Sequence, residues 1–331
     1  LHPPPGEAPL PCHHTIRTNS HNTYKLGNSN TDCIYHSLWQ QVKPHWDPVL
    51  SNKFLSHPHT IPQKVQTTAL KYRTGTLHNQ SKAHQYNPNI PTTCPLCPAV
   101  DSGAHIAGAC QHPLMTKLYH TRHNAAGRLI YRAISKHSTK YKILTMDCGN
   151  PHKWNHSISH NRLSTFHITP PTGTSMTEHT AHLQSSKPDI TLRHNGPNGK
   201  THITRVEVKF CRDTDHGRSL MKAREQHSRL LKYLSNIGYT TTLCPILIGM
   251  SGTIYNIHTV QALKNLGLPG RACQKLCQKL HSTALTHLHS IVAQRRILEN
   301  GESNPHPHTQ QWSGPNSHTS YSRKKRKRSP D

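Results

Sequence analysis

Carboxylates, aromatic rings and long apolar runs are all scarce in this sequence. Its 331 residues include 14 Asp and Glu against 40 Lys and Arg, a formal net charge of +26 with all 32 histidines neutral. Such an uncompensated positive charge favours a polyanionic partner, nucleic acid before an anionic membrane surface. Hydrophobic residues make up 32% and aromatic residues 5%, so part of the chain must be loop or tail. The absence of a long apolar run weighs against a membrane-spanning helix.

The ten cysteines are unevenly spaced, and two of them form a Cys-x-x-Cys pair. This pattern is typical of thiols in a reducing compartment rather than of a disulfide framework. The sequence begins with Leu1 rather than Met, which predicts a fragment of a longer product or a processed chain.

Composition divides the chain into four segments. Residues 1–62 are rich in Pro, His and Asn and predict a mostly irregular linker. Residues 63–140 hold a dense group of Cys and His and a basic helix, and residues 141–298 alternate between strand and helix patterns. Residues 299–331 are polar and basic, the composition of a disordered tail.

The helical patterns of residues 63–140 carry many basic side chains. The stretch 63–87 predicts a short helix around residues 65–72, and we expect the basic residues of this stretch to be exposed. The stretch 114–137 predicts a longer amphipathic helix with Met115, Ala126 and Ile130 on its apolar face. Off that face lie Lys117, Arg128 and Arg132.

Residues 141–298 predict a mixed α/β core. The stretches "DITL" and "THITRVEVKF" predict strands on either side of "RHNGPNGK", whose Asn-Gly steps favour a hairpin turn. A helix with an apolar stripe follows over residues 218–237, and "YTTTLCPILIGM" predicts a buried strand. The order strand, strand, helix, strand is typical of a mixed sheet with flanking helices. Two further helices complete the segment.

One face of the predicted hairpin gathers charged side chains. Because successive residues of a strand alternate faces, Arg205, Glu207 and Lys209 lie opposite the apolar side. We expect this charged face to be exposed, with Asp189 across from Glu207 if the pairing is in register. Two close carboxylates repel each other, and a hard divalent cation relieves that repulsion. The alternative is a surface ion pair on an ordinary hairpin, worth under about 1 kcal/mol.

A divalent ion held by Asp189 and Glu207 would suit the site to phosphodiester hydrolysis. The metal polarises the phosphodiester and lowers the pKa of a bound water. Lys209 would orient that water or stabilise the developing negative charge. We therefore expect Mg²⁺ or Mn²⁺ as a cofactor.

A second metal site is predicted in "CPLCPAVDSGAHIAGAC". Zn²⁺ prefers four Cys or His ligands in a tetrahedron, and the spacing supplies Cys94, Cys97, His105 and Cys110. His112 is an alternative fourth ligand. Four filled positions leave none for water, so this zinc would be structural. Farther along the chain, helical spacing also brings Cys and His residues onto one side of a predicted helix. We interpret them as core residues rather than as metal ligands, namely Cys273, Cys277 and His281.

The motif of the PD-(D/E)xK nuclease superfamily is matched, in order, by Pro188, Asp189, Glu207 and Lys209. This resemblance implies a restriction-endonuclease-like core, with Asp189 and Glu207 as metal ligands and Lys209 as the catalytic lysine. Many members add an acidic residue from an earlier helix. The helix over residues 114–137 contains none, and Asp147 is the nearest substitute.

The succession of the two sites resembles the C-terminal region of non-LTR retrotransposon polyproteins. "KYRTGTL", "RHNAAGR" and "GMSGTIYN" agree with that type of element. The resemblance makes residues 63–140 a zinc knuckle with a basic helix, and residues 141–298 a restriction-like endonuclease domain. It implies a nickase that cuts double-stranded chromosomal DNA so that a reverse transcriptase can prime from the exposed 3′ hydroxyl. The sequence has no Tyr-x-Asp-Asp, so we expect the polymerase in cis in a longer polyprotein, with the element RNA as a further partner.

Basic residues are expected to contact the nucleic acid. By analogy with that family, we expect Arg122 and His123 to lie near the DNA path. We also expect basic side chains of the predicted helices to reach phosphates, namely Arg128, Lys222 and Arg229. The tail adds a nuclear import signal or a phosphate-binding arm, formed by Arg323, Lys324, Lys325, Arg326, Lys327 and Arg328. We therefore expect a nuclear protein. A merely solubilising tail is the alternative.

Two other interpretations stay open. One is a non-catalytic, zinc-dependent nucleic-acid-binding module that keeps the fold of a decayed nuclease. The other is a particle protein that coats RNA. The intact set of Asp189, Glu207 and Lys209 favours the enzyme, and helices suited to oligomerisation are not evident.

Overall fold

The computed structural model describes residues 45–146, 173, 175, 188–196 and 199–301. The helices before the sheet are α1 (Pro48–Ser51), α2 (Lys53–Ser56), α3 (Gln63–Arg73), α4 (Gln80–Tyr86), α5 (Gly103–Gly108) and α6 (Pro113–His137). The strands are β1 (Lys142–Met146), β2 (Ile190–Asn195), β3 (Thr201–Cys211) and β4 (Thr240–Gly249), with α7 (His216–Asn236) before β4. A π-helical turn (Asn256–Gln261), α8 (Ala262–Asn265) and α9 (Gly270–Glu299) follow. None of the helices in this part of the chain is both long and apolar enough to cross a membrane.

The described strands form one mixed sheet in the order β1, β2, β3, β4. The first two pairings are antiparallel, whereas β4 joins β3 in parallel. The turn between β2 and β3 includes Gly199, whose φ of 70° favours glycine. A parallel pair needs a crossover connection, and α7 lies within it. The mixed α/β architecture expected from the sequence is therefore confirmed.

One face of the sheet is buried against α6 and α9. Ile130 and Leu280 of these helices belong to an apolar cluster with alternate residues of three strands, namely Ile190, Leu192, Val206, Val208, Ile246 and Ile248. Branched side chains suit this position because they pack well on a pleated surface. Each fully buried residue of this kind contributes roughly 1.5–3 kcal/mol, so this face supplies much of the stability.

The opposite face of the sheet is covered by α7, which corrects one expectation. Ile203 of β3 packs against Leu230 and Leu234 of this helix. Arg205 and Glu207, which we expected on an exposed face, are therefore 1% and 3% exposed. The side chains alternate along the strand as predicted, but α7 has an apolar stripe of its own and buries it against the same face.

Residues 45–62 belong to the core, which corrects their assignment to an irregular linker. They form α1, α2 and a 3-10 turn (Pro58–Thr60). Phe54 is 0% exposed and packs among residues of α3 and α9. Trp46 forms an isolated β-bridge with Tyr255. These large apolar side chains give the segment enough burial to order it.

Helix α9 joins the two segments that the sequence divides at residue 140. Its 30 residues span about 45 Å. Leu276 and Leu280 pack in the cluster that covers the sheet, whereas Leu288 and Ile291 pack with the Cys- and His-rich segment. The two segments therefore share one helix. The predicted core residues of α9 are each at most 1% exposed, namely Cys273, Cys277 and His281.

Arg73 is buried, although we expected the basic residues of α3 to be exposed. Its guanidinium lies 4.9 Å from the ring centroid of Phe54. It donates to Ser251 Oγ at 2.8 Å, Ser251 O at 2.9 Å, Ser51 O at 2.8 Å and Asn52 Oδ1 at 2.9 Å. Hydrogen bonds from a charged donor contribute about 1.5–3 kcal/mol each. Arg73 thereby fastens α3 to the loop that follows β4.

Candidate metal centres

The pairing of β2 with β3 brings together a carboxylate site, defined as Asp189, Glu207 and Lys209. Ile190 pairs with Val206, so the same register places Asp189, the residue just before β2, opposite Glu207. Directly opposed residues of an antiparallel pair have side chains on one face. Lys209 lies two residues beyond Glu207 and shares that face.

Asp189 is held in place by β3 and by α6. Its Oδ2 accepts the Val208 N–H at 2.6 Å. His123 Nε2 lies 3.1 Å from Asp189 Oδ2 and 3.0 Å from Val208 O. Burial acts to lower the pKa of His123, but the hydrogen bond to Asp189 and the charge of that carboxylate outweigh burial and raise it. Asp189 therefore stabilises the protonated form of His123 relative to the neutral form.

Glu207 contacts a cationic or imidazole group with each of its oxygens. Lys209 Nζ lies 2.6 Å from Oε1, and His227 Nε2 of α7 lies 3.0 Å from Oε2. Burial acts to raise the pKa of Glu207, but His227 and Lys209 together outweigh it and lower the pKa. Lys209 Nζ also donates to Gln226 Oε1 at 2.8 Å. The buried carboxylate is thus kept ionised by its neighbours.

The carboxylate site is not preformed for a metal ion. Among the described residues, the one group of three or more Cys, His, Asp or Glu whose ligand atoms converge lies elsewhere, at the predicted zinc site. An ion shared by Asp189 and Glu207 would displace Lys209 or His227 from Glu207. Lys209 is the easier to displace, because its side chain is 29% exposed and that of His227 is 0% exposed.

The Cys/His cluster, defined as Cys94, Cys97, His105 and Cys110, has the dimensions of a tetrahedral zinc site. Its ligand atoms all lie within 4.8 Å of one another. Cys110 Sγ lies 3.9 Å from both Cys94 Sγ and Cys97 Sγ, and Cys97 Sγ lies 3.4 Å from His105 Nε2. Zinc bonds of about 2.3 Å to sulfur and about 2.0 Å to nitrogen require edges of about 3.8 Å between sulfurs and about 3.6 Å between sulfur and nitrogen. The residues therefore fit Zn²⁺.

Local backbone groups prepare the Cys/His cluster for a cation. Burial acts to raise the pKa of Cys97, but backbone N–H groups of Gln111 and Ala99 outweigh it and lower the pKa. Burial, and then the negative charge of Cys94, raises the pKa of Cys110 to about 12. Three crowded thiols cannot all ionise without compensation, and a dication supplies it.

His112 does not join the Cys/His cluster. Its Nδ1 accepts the Leu114 N–H at 3.3 Å, which caps the first turn of α6. Cys110, which is 2% exposed, takes the fourth position. The alternative ligand that the spacing allowed is therefore set aside.

Arg122 is buried, whereas the contact to DNA that we expected requires an exposed side chain. It is 3% exposed, donates to Ala107 O at 2.9 Å and lies 4.4 Å from the ring centroid of Phe210. Arg122 follows Met115 by seven residues and so shares the apolar face of α6, but the spacing does not reveal the acceptors that a buried guanidinium needs. The carbonyl and the ring compensate for burying the guanidinium.

The other expected contacts to nucleic acid differ in exposure. Arg128 is half-buried, whereas Lys222 and Arg229 are exposed on α7. Asp147 and the basic run 323–328 lie outside the described residues.

Sequence reasoning missed two residues of these sites. His227 lies on the apolar side of α7 and was not among the expected site residues, yet it contacts Glu207. A histidine within such a stripe is the local sign of a polar contact in the core. Arg295 of α9 lies 3.3 Å from Cys94 Sγ, 201 residues away in sequence. No local pattern indicates that contact.

Comparison of the chain with protein-family models gives no match, and comparison with curated proteins also gives none. Function is therefore argued from the chemistry of the two sites.

Proposed function

We propose that the chain is a metal-dependent DNA endonuclease, a nickase that opens target DNA for retrotransposon integration by target-primed reverse transcription. The observation that carries this proposal is the register of β2 and β3, which sets the Pro-Asp and Glu-x-Lys parts of the PD-(D/E)xK pattern opposite each other. A mixed sheet with flanking helices is the architecture that the pattern implies. The finer assignment to the PD-(D/E)xK core belongs to the proposal.

In this proposal each polar residue of the carboxylate site has a role. Asp189 and Glu207 hold Mg²⁺ or Mn²⁺, which take carboxylate ligands. The ion supplies Lewis-acid polarisation of the phosphodiester and a more acidic water. Lys209 leaves Glu207 and stabilises negative charge on the phosphate. His123 keeps the Asp189 carboxylate oriented.

The exposed surface of α7 supports a polyanionic substrate. Its basic residues recur at helical spacing along one side, namely Arg218, Lys222, Arg229 and Lys232. Gln226 of the same helix contacts Lys209, so this basic surface begins beside the carboxylate site. Phosphate contacts from such side chains make binding dependent on salt. Double-stranded DNA is the proposed substrate, the element RNA is a further partner, and the site of action is the nucleus.

Zinc in the Cys/His cluster has a structural role in the same proposal. Four protein ligands leave no open position for substrate. Helix α6 begins three residues after Cys110 and carries His123 to Asp189. The cluster thus fixes the start of the helix that reaches the carboxylate site. A reverse transcriptase is proposed in cis within a longer polyprotein.

A non-catalytic nucleic-acid-binding module is the second candidate. One observation favours it, because both oxygens of Glu207 are already in contact with Lys209 and His227. A buried ion pair of this kind can serve the fold without binding a metal. The basic helix and the zinc cluster would then account for the whole function.

A nicking assay on supercoiled plasmid DNA, with Mg²⁺ or Mn²⁺ added, distinguishes the two candidates. Asp189→Asn keeps an acceptor for the Val208 N–H but removes the charge that a metal needs. We expect it to slow nicking about 100-fold or more while DNA affinity stays near that of the parent. Glu225→Gln, an exposed acid on α7, is the matched control and should nick like the parent.

Two outcomes would contradict the enzyme. If Asp189→Asn nicks as fast as Glu225→Gln, Asp189 is not a metal ligand in catalysis. If the parent binds DNA but does not nick it with either ion, the non-catalytic module is the correct candidate.

A further inference from the structure

The guanidinium of Arg295 reaches the Cys/His cluster from the other end of the described chain. Arg295 is 2% exposed. Its Nη1 donates to Cys94 Sγ at 3.3 Å, and its Nε donates to Glu299 Oε1 at 2.7 Å. Its Nη2 lies 3.0 Å from Asp101 Oδ2. One buried side chain thus contacts a predicted zinc ligand and two carboxylates.

The charge of the cluster explains why an arginine lies there. Three thiolates, a neutral imidazole and Zn²⁺ together leave one negative charge. Cys94, His105 and Cys110 are 6%, 5% and 2% exposed, so water cannot solvate that charge well. A buried charge without a partner is costly. A guanidinium suits the place because it is weakly hydrated and directs several donors at fixed angles.

Asp101 gives Arg295 a second hold on the same loop. It lies between Cys97 and His105 in sequence and is 0% exposed. Its Oδ2 also accepts the Gln80 N–H at 2.8 Å, at the start of α4. Glu299, whose side chain is 26% exposed, contributes less because water screens it. Arg295 therefore contacts both a ligand sulfur and the loop that carries the other ligands.

We propose that Arg295 is a positioning residue of the zinc cluster. It neutralises the Cys94 thiolate, fixes the direction of that sulfur and ties the cluster to α9. The inference rests on the zinc site within the proposed function and not on nuclease activity. Mutation of a residue that hydrogen-bonds a metal ligand typically lowers metal affinity by about 10–100-fold.

The test uses zinc and cobalt alone as probes of the full chain. Arg295→Lys keeps the charge but has one nitrogen where three are in contact, and Arg295→Met removes the charge. Arg296→Met, at the adjacent exposed residue, is the matched control. Competition with a chromophoric chelator measures zinc affinity. The sulfur-to-cobalt charge-transfer band measures the state of the thiolates, which a purely structural role of Arg295 would leave unchanged.

We expect both Arg295 variants to bind zinc about 10–100-fold more weakly than the parent. Their charge-transfer band should move to longer wavelength, because a thiolate that loses a hydrogen bond gives up its electrons more easily. Arg296→Met should match the parent in both measurements.

Zinc affinity within about twofold of the parent, with an unshifted band, would overturn the role of Arg295. If Arg295→Met does not fold, the same two measurements on Arg295→Lys decide. A parent chain without any sulfur-to-cobalt band would overturn the zinc site and this inference together. Failure of Arg295 alone is distinct, because the parent then still gives the band. A failure of the nicking assay changes neither measurement.

Discussion

Mild acid should destabilise this protein through His281, a buried histidine in α9. Its side chain is 1% exposed, and Nδ1 lies 2.6 Å from Gly252 O, so the neutral ring donates to that carbonyl. Burial lowers the pKa of His281 to about 4, whereas an unfolded histidine has a pKa of about 6.5. Between these values the unfolded chain binds a proton that the folded chain does not. The contribution to stability is therefore full above about pH 6.5 and is lost as the pH falls toward 4.

The two pKa values set the size of the effect. A difference of about 2.5 in pKa corresponds to at most about 3 kcal/mol, of which roughly 1 kcal/mol is lost by about pH 5.5. Urea unfolding at about pH 7.5 and about pH 5.5 measures it. His281→Asn keeps a donor for Gly252 O but does not titrate. His137→Asn, at an exposed position, is the control.

Between the two pH values, the parent and His137→Asn should lose roughly 1 kcal/mol more unfolding free energy than His281→Asn. Other titrating groups are common to the three chains and cancel in this comparison. If His281→Asn shows the same dependence on pH as the parent, the assigned burial of a neutral His281 is wrong.

Two further predictions concern the end of β4 and the zinc cluster. Gly249→Ala should destabilise the fold by about 2–4 kcal/mol, because a Cβ there would overlap the Asp213 carboxylate and lie 2.6 Å from Thr253 Cβ. The control is Gly217→Ala, where nothing lies within 4 Å of an added Cβ. This variant should be as stable as the parent in urea unfolding. Equal stability of the Gly249→Ala and Gly217→Ala variants would contradict the steric argument. Treatment with EDTA under reducing conditions should lower Tm and make the cluster thiols reactive, with added zinc reversing both, because structural zinc contributes folding free energy. A Tm that responds to neither EDTA nor zinc would refute a structural metal.

The elements around the carboxylate site could be predicted because their patterns are local. The alternation along β3 and the glycine-containing turn before it fix both the strand and its register with β2. Cys94 and Cys97 are likewise close in sequence, so the pair can be recognised without knowledge of the fold. Periodicity and turn chemistry need no knowledge of distant residues.

Burial of charge could not be predicted, because it depends on remote acceptors. Arg73 is buried by carbonyl and hydroxyl oxygens of Ser51 and Ser251, which belong to distant segments. Arg122 is buried by Ala107 O and the ring of Phe210. A basic residue in a helical pattern is normally solvated, so the sequence favours exposure unless the tertiary acceptors are known.

The contact of Glu207 with Lys209 connects the two candidate functions. The pKa of Glu207 is lowered by His227 and Lys209 although burial acts to raise it, so this carboxylate is ionised while 3% exposed. An ionised group so poorly solvated needs a compensating cation at all times. In the absence of a divalent ion, the ammonium of Lys209 meets that need. In the nuclease proposal Lys209 would leave Glu207 when a divalent ion is bound there. The half-buried lysine, still within reach of Gln226 on the exposed side of α7, would then be available to a phosphate. Ion pairing at Glu207 is therefore expected of a metal-free nuclease as well as of the binding module, and the nicking assay distinguishes the two.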